Sequence, residues 1–401
     1  MKNSSKTKTN VKLNPKTKTS QKQKTNKQKL KNNINNENNI IELTNNRNKN
    51  IIIFILALMT IILLSSIIYL VKVFNFRINN IKQSIIELQY NIINENKYST
   101  QKNSLEKLHL QNSSISDDQG THPKVLYFNE GLFGYKFWMA YTPYPKANDM
   151  YENPNILVSD DGVTWVEPNG FINPLEAIPE NYKKTIIYNS DTHLVYNYTT
   201  KELECWWRFV NDENGNLTIY RKVTKDGINW SPKQEIITDI RKQRDILCPA
   251  IIYENNVYKI WYVDSRYRVS YIKSKDLKNW SEPVIININY NDKDIRNWHL
   301  DVINDEGKYI MVICSFIKDS PRTRMNLYYS ISENETEFEE AKLLLTPTTS
   351  SNKWDSKGLY RSSIVKVNND YYLYYSAIAT NEERGIGLIK ARSIEELAIM
   401  K

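Results

Sequence analysis

The sequence predicts an all-β fold, a five-bladed β-propeller, preceded by a disordered tail, one transmembrane helix and a helical stalk. Three observations predict it. A short turn motif recurs through residues 120–401. Each copy lies between runs in which apolar and polar residues alternate, the period of a half-buried strand. Ahead of them all stands a run of twenty-one residues without a charge, Ile51–Val71.

The clearest copy of the turn is Ser274–Pro283, S-K-D-L-K-N-W-S-E-P. An Asp can fold back onto its own backbone, so Asp276–Asn279 reads as a tight hairpin. Trp280 then has a large face to bury, and Pro283 ends the pairing on that side. Close copies are Ser159–Trp165, closing at Pro168, and Thr224–Trp230, closing at Pro232. Ser332–Phe338 is a worn copy, and Ser393–Leu397 reads as a last, shortened one. The aromatic residue recurs after 65, 50 and 58 residues. Such a period in strand-rich sequence marks propeller blades. The blades begin at Lys124–Phe128, His193–Tyr196, Ala250–Tyr253, His299–Ile303 and Ser363–Val367. The last runs short, so its outer strand is either brief or supplied by residues just ahead of His122.

Residues 1–50 hold thirteen Lys and Arg against Glu37 and Glu42, with few apolar residues. Such a segment buries too little surface to offset its chain entropy, so it reads as a disordered tail. The remaining 41 basic and 43 acidic residues nearly cancel. The overall basicity therefore belongs to the tail and argues for no nucleic-acid partner. Residues 51–73 form a signal-anchor helix long enough to span a bilayer. The heavier Lys load upstream puts the N-terminus in the cytoplasm and the propeller outside the cell membrane. Residues 74–119 read as a helical stalk and linker. Ile78, Ile81, Ile85, Leu88 and Ile92 make a seam that suits either a homodimer or a plain spacer. Cys205, Cys248 and Cys314, odd in number and set in strands, read as small buried hydrophobes and not as a disulfide framework.

In a four-stranded blade the turn between strands three and four lies on the lower face, so its Asp and Trp are structural. The upper face gathers the starts of the inner strands and the loops between strands two and three, where propeller ligands bind. That rule selects His122, Asp191, His193, Arg244, Asp245, Trp298, His299, Asp301, Tyr360 and Arg361. The second loop set adds Tyr141, Tyr144, Asp264, Arg266 and Arg322. Three of the four histidines fall at inner-strand starts. Interleaved with Asp and Arg, they point to a polar ligand.

The turn, its copies and the blade number resemble the five-bladed glycoside hydrolases of the arabinanase/levansucrase/invertase-like superfamily, family 43 type, over residues of about 121–401. That resemblance implies a glycoside hydrolase, and the signal anchor ahead of it makes this a membrane-anchored extracellular protein acting on glycans. It also implies a base on blade one, a supporting Asp on blade two and a Glu acid on blade three. This chain departs from the pattern: blade one opens His122-Pro123-Lys124 and blade three Leu247-Cys248-Pro249, neither with a carboxylate. Only Asp191 lands where the family has one. The expected catalytic set is therefore Asp191, Asp301 and His299. His122, His193, Asp245, Trp298, Tyr360, Arg361 and Tyr141 are the expected sugar contacts. Hydrolysis requires no cofactor; Ca²⁺ at His299, Asp301 and His122 is left open, as no ligand spacing is diagnostic. The alternative is a glycan-binding or adhesion propeller that has lost catalysis.

Overall fold

The computed structural model describes residues 17–97, 106–115, 117–179, 186–241 and 245–399. It divides into two compact units, residues 1–82 and 83–401. Helix α1, Thr17–Lys97, begins inside the segment expected to be disordered. From Thr17 to Lys97 there is no Gly or Pro to stop it, so its ladder of backbone hydrogen bonds continues on both sides of the apolar run. Its stretch Asn36–Lys82 is long and apolar enough to cross a membrane. Every side chain from Ile51 to Val71 is exposed.

Five antiparallel sheets follow. Blade one is β1 (Gly120–Leu132), β2 (Tyr135–Pro143) and β3 (Asn155–Ser159); blade two is β4 (Ile187–Asn197), β5 (Glu202–Asn211), β6 (Asn216–Thr224) and β7 (Gln234–Ile240). Blade three is β8 (Leu247–Glu254), β9 (Val257–Val263), β10 (Val269–Ser274) and β11 (Val284–Ile286). Blade four is β12 (Ile295–Asp305), β13 (Lys308–Ile317), β14 (Asn326–Ser332) and β15 (Lys342–Leu345). Blade five is β16 (Gly358–Val367), β17 (Asp370–Ile378) and β18 (Arg384–Ala391).

The core is divided among the gaps between blades. Trp138 and Ile156 meet Leu194 and Leu203 between blades one and two, and Trp206 and Ile219 meet Ile260 and Ile272 between two and three. Trp261 and Val269 meet Leu300 and Met311 between three and four. Val312 and Leu327 meet Leu373 and Tyr375 between four and five. The fifth gap joins Val125, Phe137 and Trp165 to Val365, Tyr374 and Ile386, with Leu108 and Leu110 laid between them. Leu108 N–H donates to Ile386 O at 2.8 Å, and Gln111 N–H donates to Trp165 O at 3.0 Å. Residues 108–111 are thus a strap across the ring closure, where the end of a helical stalk and the start of its linker were expected.

The recurrent turns are latches between blades. Gly162, at φ +74°, lies under Tyr374 of blade five, and Gly227, at φ +78°, under Trp138 of blade one. A Cβ on Gly227 would come within 2.3 Å of the Trp138 ring, so the left-handed turn and its missing side chain are both required. Trp261 Nε1 donates to Glu335 O in the next blade's turn at 2.8 Å. The expected fifth turn, Ser393–Leu397, is instead the start of a helix, α2 (Ile394–Ile399). Ser393 Oγ accepts from Glu396 N–H at 3.1 Å and Glu396 Oε2 from Arg392 N–H at 3.0 Å. That S-x-x-E box starts a helix, and it buries Ile394 and Leu397 in the cluster between blades four and five.

Candidate active site

Each inner strand slips register at its upper end: between Thr121 and Lys124, Ser190 and His193, Leu247 and Ala250, Asn297 and His299, and Leu359 and Ser362. A bulge turns a side chain out of the alternating pattern. His122, Asp191 and Cys248 occupy these bulges with φ of 52°, 51° and 53°. Left-handed conformation is uncommon for such residues and clusters at functional positions.

Two of the three bulges, with His299 from blade four, build one buried cluster. His122 Nε2 lies 3.7 Å from Asp191 Oδ1, and His299 Nδ1 lies 3.5 Å from the same oxygen. The Tyr360 ring covers both imidazoles, with centroids 5.2 Å from His122 and 4.6 Å from His299. His122 Nδ1 faces Glu152 Oε1 at 3.1 Å and Thr142 Oγ1 at 2.8 Å. With its proton on Nδ1, His122 turns the Nε2 lone pair toward Asp191. Arg361 Nη1 stands 3.9 Å from Asp191 Oδ1, and Cys248 N–H donates to Asp191 Oδ2 at 3.2 Å. His122 Nε2, Asp191 Oδ1 and His299 Nδ1 are buried with no hydrogen-bond partner among the described residues. Burying such atoms unpaired is costly, and here they converge.

Burial lowers the pKa of His122 well below the usual imidazole value, with Asp191 pulling the other way and His299 and Arg361 adding to the fall. Burial lowers His299 too, again opposed by Asp191. Asp191 is itself buried, but the facing His299, His122 and Arg208 hold its pKa below the carboxylate range. Burial, reinforced by Asp191 and Asp149, pushes Glu152 well up. At neutral pH the imidazoles are therefore neutral and the Asp191 carboxylate ionised, the forms that bind a cation.

The three donor atoms lie within 4.8 Å of one another. Tetrahedral ligands at bonds of about 2.1 Å sit roughly 3.4 Å apart, close to the spacing here. Two imidazole nitrogens and one carboxylate suit a Zn²⁺-like ion, whereas Ca²⁺ prefers six to eight oxygens. The residues therefore fit a transition-type divalent ion with Asp191 as the carboxylate, and not the Ca²⁺ set containing Asp301.

Several expected site residues lie elsewhere. Asp301 sits deeper, with Lys124 Nζ 2.7 Å from Oδ1 and Ile364 N–H donating to Oδ2 at 3.1 Å. Strand alternation did put it on the side of His299, but Lys124 from blade one reaches it first. Asp245 is held by Arg208 at 2.6 Å and Arg241 at 3.6 Å. His193 lies beneath the site. Arg361 Nη2 can only donate, so His193 Nδ1 accepts at 3.1 Å and Nε2–H donates to Ile251 O at 3.0 Å. Tyr141 is buried in the gap between blades one and five, its hydroxyl meeting Asn112. Trp298 does flank the cluster, edge-on to His299 at 5.4 Å with the Arg322 guanidinium 4.3 Å above its ring. Tyr144, from the blade-one loop, stacks on His122 at 6.3 Å. Arg244 lies outside the described residues.

Glu152 and Arg384 were missed, although both obey the face rule. Glu152 ends the loop between β2 and β3, and Arg384 starts β18. Cys248 holds the bulge of blade three, where the resembled family carries its acid. Its Sγ donates to Leu300 O at 3.1 Å and burial pushes the thiol pKa up, so it is no nucleophile. All three cysteines are free and buried, as expected.

The five-bladed propeller fold is shared with solved carbohydrate-active enzymes. No protein-family profile matches. The chain is 28% identical over 305 residues to an A type blood N-acetyl-α-D-galactosamine deacetylase of Flavonifractor plautii, a match covering 63% of this chain and 38% of that protein. It therefore spans well under half the length of that relative. The crystal structure of an N-acetylgalactosamine deacetylase from F. plautii, in complex with blood group B trisaccharide, superposes with a TM-score of 0.64. That match has 24% identity and covers 74% of this chain and 95% of the other. An exo-β-1,3-galactanase from Phanerochaete chrysosporium superposes at 0.52 with 8% identity, over 72% and 64% of the two chains.

Proposed function

We propose that the propeller hydrolyses the N-acyl group of an amino sugar, using a divalent cation held by His122, Asp191 and His299. The observation that carries this reading is the convergence of three buried, unpartnered donor atoms from blades one, two and four. The F. plautii relative's described activity supports it. A cation in this position supplies a Lewis acid for the acyl oxygen and makes a bound water acidic. Glu152 holds His122 through Nδ1, the carboxylate–imidazole pairing that fixes a ligating histidine. Glu152 lies on the far side of that ring from Asp191, so its role is to hold His122, and the proton that the water loses goes to the departing nitrogen. The water oxygen joins the acyl carbon, the C–N bond breaks, and the products are a free amine and a carboxylate. Tyr360, Tyr144 and Trp298 offer ring faces on which a sugar can pack.

A second reading is a glycoside hydrolase, the activity the fold resemblance implies. Glu152 and Asp191 stand on either side of the His122 ring, and two carboxyls in one pocket are what glycoside hydrolysis uses. A binding propeller without turnover is the non-catalytic alternative. The three separate by product. Incubating the full-length protein with Zn²⁺ and N-acetylgalactosaminides should release acetate and leave the glycosidic bond intact. Asp191→Asn should lower that rate by at least about a hundredfold and remove the Zn²⁺-induced rise in Tm. Reducing sugar without acetate would establish the second reading, and binding without product the third.

In the same proposal α1 anchors the protein in the cell membrane with its lysine-rich end in the cytoplasm and the propeller outside, where glycans are met. A parallel dimer through the helix segment after the span fits the Ile78–Ile92 seam.

A further inference from the structure

We propose that Arg384, framed by Tyr144 and Tyr360, is a subsite for a carboxylate on the sugar, so that the substrate is an acidic N-acylated glycan. This rests on the deacylase reading for its reaction but not for its binding chemistry. Arg384 is 4% exposed, and its Nε and Nη1 are buried with no partner. Its guanidinium carbon lies 5.4 Å from the centroid of Tyr144 and 5.8 Å from that of Tyr360. Arg208 and Arg361 also leave guanidinium nitrogens unpartnered, Nε in the first and Nε and Nη1 in the second, but each is anchored through another nitrogen: Arg208 to Asp245 at 2.6 Å, and Arg361 to His193 and the Pro249 carbonyl. Among the described residues no carboxylate lies within ion-pairing distance of Arg384.

Glu152 feels the charge of Arg384 through space but makes no ion pair with it, and a buried guanidinium without a direct ionic partner is expensive. Two flanking rings stabilise its charge but satisfy none of its in-plane N–H groups. Nε–H and Nη1–H lie on different edges of the plane, each edge shared with Nη2, and either edge is a fork matched to two oxygens of one anionic group. Tyr360 also covers His122 and His299, so one ring borders both the candidate cation and the unpaired fork. A single substituted sugar can then reach both, with its acyl group at the histidines and its carboxylate at Arg384. The cation, Arg361 and Arg384 together outweigh Asp191 and Glu152 in charge, which further favours an anionic substrate.

The test uses full-length, detergent-solubilised protein loaded with Zn²⁺ and two probes, methyl N-acetylgalactosaminide and its 6-carboxylate (uronate) analogue. Acetate release should favour the uronate by at least about tenfold in kcat/KM. Arg384→Gln should erase that preference mainly through KM, and Arg384→Lys, which keeps the charge and loses the fork, should restore part of it. Equal rates on the two probes, with Arg384→Gln affecting both alike, would overturn the subsite and leave the deacylase reading standing. If neither probe yields acetate, saturation-transfer NMR decides. Uronate binding that Arg384→Gln abolishes upholds the subsite while the deacylase reading falls, and no uronate binding overturns the subsite.

Discussion

Asp161 shows what one carboxylate does in the blade turn. Its Oδ1 accepts from the N–H groups of Val163 and Thr164, both at 2.7 Å, and from Ser159 Oγ at 2.9 Å. Slight burial opposes the shift, but these bonds lower its pKa to about 2. Hydrogen bonds to Asn229 and to Asn279 likewise lower Asp226 and Asp276. Unfolded, such a carboxyl titrates near 3.9, or roughly two pH units higher. The folded value is the lower one, so the stability it lends is present above about pH 4 and is lost as pH falls toward 2. A triple Asp161→Asn, Asp226→Asn, Asp276→Asn variant should be less stable at pH 7. Its urea midpoint should also fall less steeply between pH 4 and pH 2, a slope that equilibrium unfolding at several pH values would measure.

Among elements, the inner strands carry the three proposed cation ligands, and the outer strands hold them in place. Below the bulges they pair regularly, apart from a second slip in β1 between Tyr127 and Leu132, while the bulges at their upper ends turn His122, Asp191 and Cys248 toward neighbouring blades. Alternation alone would send these side chains into the wrong layer. The C-terminal element illustrates the opposite case, a structural piece that looked like a motif. Ser393→Ala should cost about 1 kcal/mol, because the capping box is lost while Ile394 and Leu397 stay apolar and buried. Guanidinium titration should show that shift with acetate release unchanged.

For the whole molecule, five blades make five gaps, each with its own apolar cluster, and the ring is tied inside by ions as well. Lys124 of blade one meets Asp301 of blade four at 2.7 Å, and the same carboxylate takes the Ile364 N–H of blade five. Lys124→Met leaves that carboxylate buried and uncompensated, so it should cost about 3–5 kcal/mol. Adding Asp301→Leu should recover much of the loss, a coupling that a double-mutant cycle in urea would read. Anchoring belongs to this scale as well. Deleting residues 51–71 should move the protein from the membrane pellet to the soluble fraction, and protease added to intact cells should cut the propeller of the full-length chain. A propeller protected from that protease would reverse the proposed orientation.

Local chemistry made the architecture readable from sequence. The Asp–Gly–Trp turns, the alternating strands and the uncharged run each follow from contacts within a few residues of one another, and they yielded the blades, the apolar helix and the face on which a ligand would sit. His122, Asp191 and His299 were legible as candidates for the same reason. Their partnership was not, and neither was the removal of Asp301 by Lys124, of His193 by Arg361 or of Tyr141 by the ring closure. Those pairings cross from blade to blade over as many as 177 residues of sequence. They depend on where each bulge falls and which neighbour reaches a carboxylate first. Only the closed ring decides that, because distance through space, and not spacing along the chain, sets which charges meet.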